Sequence, residues 1–150
     1  MVTAACTEGG GGASVTTTTA GASTSADPGA LSPPLERAVL EALRKADPQA
    51  KTAEHGFNDA WVEVHSGGEK LLVHVAAPGF PTPGRVGQAA EYDGVRSTTV
   101  FTEAFGRIQR IECALEGFGH RLVEIAFASN PATAVPRVYR ALGCGTAPPP

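Results

Sequence analysis

Apolar residues change their spacing twice along this chain, and each change marks an element. Leu35, Val39, Leu43 and Ala46 recur at intervals of three and four, the stripe of an amphipathic helix. Ser32 stands before it as an N-cap, Pro33 suits the first helical position, and Asp47-Pro48 ends it, because the residue before a proline is pushed out of the helical region.

The period then drops to two. Ala60 to His65 and Lys70 to Ala76 flank Gly67-Gly68, which can supply the positive φ angles of a two-residue hairpin turn. Closing on that turn pairs Val64 with Leu71 and Val62 with Val73 on one apolar face. The other face carries Trp61 opposite His74, Glu63 opposite Leu72 and His65 opposite Lys70. One apolar and one mixed face is what an antiparallel sheet covered on one side requires.

A Pro/Gly-rich connection follows from Pro78 to Gly94, long enough to be mobile or functional. Arg96–Thr102, Arg107–Glu116 and Arg121–Ala128 read as strands. Pairing Leu115 with Val123 also pairs Cys113 with Ile125 and Ile111 with Phe127, which gives a second apolar face. Asn130-Pro131 opens a closing helix with Val135, Val138 and Leu142 on one side. Pro136 inside it should kink it or delay its start, and Gly143 is the stop. The predicted fold is α+β: an antiparallel sheet of four or five strands with an N-terminal and a C-terminal helix packed on one face.

Nearly all large apolar residues lie between Leu31 and Cys144, which bounds a single domain at residues 31–144 and leaves 145–150 as a tail. Residues 7–30 are an uncharged Gly/Ser/Thr/Ala tract apart from Glu8 and Asp27. They hold too little apolar surface to offset ordering entropy. About 24 residues of such coil span on the order of 25–30 Å, the behaviour of a tether. The net charge is −3 with acidic and basic residues interspersed, so nothing in the sequence favours a nucleic-acid partner.

The N-terminus adds a location. Thr3-Ala4-Ala5-Cys6 followed by a flexible polar tract resembles the lipobox of a bacterial lipoprotein. The resemblance covers those four residues and the tether and says nothing about the folded domain. It implies a lipid on Cys6 and a domain held at the extracytoplasmic side of the cell membrane. It also implies a secretion signal encoded upstream of Met1, since a basic n-region and an apolar h-region do not fit before Cys6. With Cys6 lipidated, the other two cysteines form one pair. Cys113 faces the core by its alternation and Cys144 ends a helix packing on that face, so a Cys113–Cys144 disulfide is expected. The alternative is a cytoplasmic protein with three reduced thiols.

Candidate chemistry is sparse. The four histidines share no converging spacing and no C-x-x-C occurs, so neither a metal nor a cofactor is expected. No nucleophile elbow, P-loop or dinucleotide fingerprint is present. Trp61, Glu63 and His74 on one sheet face form a candidate ligand face, and the connection from Pro78 to Gly94 is a second candidate binding region. Two functions compete: a membrane-tethered, non-enzymatic domain that binds a protein or ligand at the cell surface, and a soluble small-molecule-binding or weakly enzymatic domain using the Trp61/Glu63/His74 face.

Overall fold

The computed structural model describes residues 34–53 and 59–144. Cys6, the tract through residue 30, Leu31, Ser32, Pro33, His55 and the tail 145–150 lie outside the described residues. Helix α1 (Pro34–Arg44) is followed by strands β1 (Lys51–Thr52), β2 (Ala60–Ser66), β3 (Glu69–Ala76), β4 (Arg85–Tyr92), β5 (Val95–Thr102), β6 (Gly106–Leu115) and β7 (Gly119–Ala126). Helix α2 (Pro131–Ala141) closes the domain.

The strands form one antiparallel sheet in the order β1-β2-β3-β7-β6-β5-β4. The expectation of four or five strands is therefore corrected: the sheet has seven and dominates the domain, with two helices against it. Both additional strands escape periodicity for physical reasons. Strand β1 has two residues, too few to show a period. Strand β4 lies at the sheet edge within the stretch expected to be a connection, and most of its side chains are solvent-facing or half-buried on both sides. A register shift between Val86 and Ala89 breaks its alternation further.

Hairpin β2–β3 has the register read from its residues, Val62 opposite Val73 and Trp61 opposite His74. Hairpin β6–β7 does not: Ile111 lies opposite Val123 and Leu115 opposite Gly119. The expected Leu115–Val123 register is out by an even number of residues, so it preserves which side chains face the core and passes any test based on alternation. The turn decides. Phe118 N–H donates to the Leu115 carbonyl at 3.0 Å, and Gly117 and Gly119 adopt φ of 82° and 71°, closing a tight turn after Leu115. Strand β7 also ends earlier than expected, at Ala126, because Phe127 takes a left-handed φ of 67°.

One face of the sheet carries Val62, Val64, Leu71, Val73, Val75, Ile111, Cys113, Val123 and Ile125, which share a single core with the apolar stripes of both helices. Gln109 is buried on this face, where the Ser97 and Thr99 hydroxyls donate to its Oε1 at 3.1 and 3.3 Å. Pro136 is accommodated inside α2, which begins at Pro131 without delay. In place of a side-chain cap from Asn130, the Glu69 carboxylate accepts the Ser129 and Asn130 N–H groups at 2.5 and 3.2 Å. Cys113 and Cys144 are joined by a disulfide with Cα atoms 5.4 Å apart, tying the end of α2 to β6.

Strand β3 reaches β4 only by crossing three strands, since β7, β6 and β5 lie between them. The connection 77–84 makes that crossing on the face opposite the helices. It begins with a turn in which Phe80 N–H donates to the Ala77 carbonyl, and Pro78, Pro81 and Pro83 stiffen it. What fastens the crossing to the sheet is a cluster of buried and part-buried polar groups.

Candidate functional site

Alternation puts His74 of β3, Glu124 of β7 and Arg110 of β6 on the face opposite the helices, and the sheet register places them side by side. His74 is opposite Glu124, and Glu124 is opposite Arg110. His74 Nδ1 lies 2.9 Å from Glu124 Oε1, and its Nε2 lies 2.8 Å from Asp59 Oδ2. Arg110 Nε donates to Glu124 Oε2 at 2.7 Å. The crossing chain enters through Thr82: its hydroxyl and its N–H donate to Glu124 Oε1 at 2.5 and 3.1 Å, and its carbonyl accepts from Arg110 Nη2 at 2.5 Å.

Each ring nitrogen of His74 faces a carboxylate oxygen, so the ring lies between two acidic side chains, and Arg110 brings a guanidinium to the far side of Glu124. His74 and Glu124 are 5 % and 2 % exposed, so a missing partner here would leave a charge away from water. Trp61 covers the ring, stacked with centroids 3.8 Å apart and planes 15° from parallel, and donates its indole N–H to Asp59 Oδ2 at 3.1 Å. Phe105, on the β5–β6 turn, packs against Trp61 and also against Phe127 at its edge. Beneath lies a small apolar layer of Val100, Ile108 and Ala126.

Of the residues singled out from the sequence, the structure brings Trp61 and His74 into contact and leaves Glu63 outside. Glu63 pairs with Lys70 at 2.8 Å and Lys51 at 3.3 Å, and the Lys70 ammonium, ahead of Lys51, holds its carboxyl below the usual range. His65 belongs to a separate contact. Its N–H donates to Asp47 Oδ2 at 2.7 Å, linking β2 to the segment after α1. Cys113 and Cys144 are bonded to each other. Sequence reasoning missed Asp59, Thr82, Arg110 and Glu124. Three belong to other strands or to the crossing chain, and their convergence depends on which strands are neighbours. The one local signal was Asp59, two residues before Trp61.

Burial alone would raise the Glu124 carboxyl, but hydrogen bonds from His74, Thr82 and Arg110 outweigh it and hold it at about 2, against 4.5 for an ordinary glutamate. Because the folded value is the lower one, its stabilisation is complete above about pH 4.5 and fades as pH falls toward about 2. A gap of that size corresponds to about 3 kcal/mol. Asp47 and Glu69, both also lowered by their hydrogen bonds, act with the same sign. Urea midpoints followed by circular dichroism are expected to fall steadily across that acid range. Glu124→Gln should flatten the slope; an unchanged slope would mean that Glu124 is not what acid titrates.

Chemically, the arrangement fastens more than it transforms. Both ring nitrogens of His74 are engaged by carboxylates, and Glu124 has donors on both oxygens. The two carboxylates sit on opposite sides of the ring and do not converge on one point. Among the described residues no group of three or more His, Cys, Asp or Glu side chains could hold a metal ion. No family model, curated protein or solved structure matches the chain.

Proposed function

We propose that this chain is an exported bacterial lipoprotein: a domain without enzymatic activity, anchored by a lipid on Cys6 and tethered at the extracytoplasmic face of the membrane, where it binds a ligand or partner. The observation that carries this reading is the Cys113–Cys144 disulfide. It suits an oxidising compartment. It also accounts for both cysteines of the folded domain and leaves Cys6, inside Thr3-Ala4-Ala5-Cys6, as the one thiol to be explained.

The competing reading, a small-molecule-binding or weakly enzymatic face built on Trp61, Glu63 and His74, finds less support. His74 is buried with both nitrogens engaged, and Glu63 is taken up by two lysines. Acid-base catalysis needs a group that can reach a substrate and exchange a proton with it.

Anchorage is tested in a bacterial host that processes lipoproteins, with the chain placed behind an intact secretion signal. The wild type is expected to partition into detergent, and the peptide bearing Cys6 to carry the mass of a thioether-linked diacylglyceryl group. Cys6→Ala should move the protein into the aqueous phase. A wild-type protein that stays aqueous with a free Cys6 thiol removes the lipid anchor from this reading.

A further inference from the structure

Where the end of α1, helix α2 and the β4–β5 turn meet, the helix-bearing side of the domain holds an open groove of about 770 Å³. Its chemistry is one-sided. Lys45, Arg137 and Arg140 line it against a single acid, Asp93, in a chain whose net charge is −3. The floor is small and apolar, with Ala46 and Pro136 among its residues. No aromatic side chain lines it, so it offers no stacking surface for a sugar or a base, and one carboxylate makes no cation site. Cationic walls over an apolar floor match an amphiphilic anion.

The cations are held in place without being used up. Arg137 spends one nitrogen, Nη2, on the Ala46 carbonyl at 3.2 Å, which orients its guanidinium across the groove. Arg140 pairs with Asp93 on the β4–β5 turn, and both side chains are more than half exposed, so the pair is screened and open to exchange. The Lys45 side chain makes no hydrogen bond or ion pair among the described residues. A guanidinium is suited to phosphate oxygens, which it can bind through two parallel N–H groups.

We infer that this groove binds the phosphate headgroup of an anionic phospholipid, laying the helix side of the domain against the membrane surface. The inference rests on the tethered reading above for the choice of a lipid over a soluble phosphate. A domain anchored through Cys6 stays close to the surface from which it hangs, so a weak headgroup site would be occupied at high effective concentration.

The full 150-residue chain without lipid, mixed with vesicles at low ionic strength, isolates the groove from the anchor. It is expected to sediment with phosphatidylcholine vesicles containing phosphatidylglycerol and not with phosphatidylcholine alone. Lys45→Gln, which disturbs no hydrogen bond among the described residues, should weaken binding about fivefold, and Lys45→Gln with Arg137→Gln about 30-fold. Arg96→Gln, on the exposed side of β5, should change nothing, and thermal melting of each variant confirms that it folds. Equal binding to both vesicle types, or full binding by the folded double variant, overturns the site. If free glycerol phosphate binds the groove as tightly as the vesicles do, the lipid assignment is overturned. The mass of the Cys6 peptide reports on the anchor separately, so failure here and failure of the tether are distinguishable.

Discussion

Glu124→Ala is expected to cost about 3–5 kcal/mol of stability, the usual consequence of removing one partner from a buried ion pair. The substitution leaves the His74 ring and the Arg110 guanidinium without their shared partner at an emptied, buried site. It also removes the acceptor that holds the Thr82 hydroxyl and N–H, so the crossing chain 77–84 loses its grip on β7. Urea unfolding measures the loss. Hydrogen exchange should show the Thr82 amide opening well before the amides of β3 and β7. A cost below about 1 kcal/mol would place Glu124 among exposed ion pairs and contradict its burial. A combined apolar replacement of Asp59, His74, Arg110 and Glu124 should cost less than Glu124→Ala alone, because no charge is then stranded.

The second large effect belongs to the disulfide. Cys113 and Cys144 are 31 residues apart in sequence, and closing a loop of that length is worth about 3–4 kcal/mol in the chain-entropy picture. Reduction or Cys144→Ser should lower stability by that amount, and α2 should loosen first, since the bond joins its end to β6. Helix α2 is otherwise held by the burial of Ala134, Val135, Val138 and Tyr139, by the exposed Arg140–Asp93 pair and by the Glu69 carboxylate at its start. Thiol alkylation of unreduced protein should label neither cysteine. Labelling of both, in protein taken from an oxidising compartment, would contradict the bond.

What the residues revealed and concealed follows one physical division. Strands β2 and β3 were legible with their register because Gly67-Gly68 and a strict alternation on both sides leave one pairing that buries Val62, Val64, Leu71 and Val73 together. Strand β4 was not, since an edge strand exposed on both faces has no reason to alternate. A local clue was nonetheless present. Asp93-Gly94 is a strong hairpin dipeptide, and both residues take positive φ, 52° and 78°, between β4 and β5. The register of β6–β7 failed at a turn whose length alternation cannot sense. The polar cluster was half legible. Trp61 and His74 follow from one hairpin, whereas Glu124 and Arg110 come beside His74 only because β7 inserts next to β3, fifty positions along the chain. Nothing local encodes that neighbour relation.

That insertion also sets a schedule. Strand β7 occupies the centre of the sheet yet comes last in sequence among the described strands. Until it emerges, β3 presents a bare edge on one side and the meander β4–β6 presents another, and neither half has its partner. The residue that locks the finished domain, Cys144, comes later still. A chain ordered this way cannot close early, however slowly its first hundred residues are delivered. It stays open until β7 has emerged and only then can close and oxidise. On the export route proposed above, such a strand order would act as a delay built into the sequence.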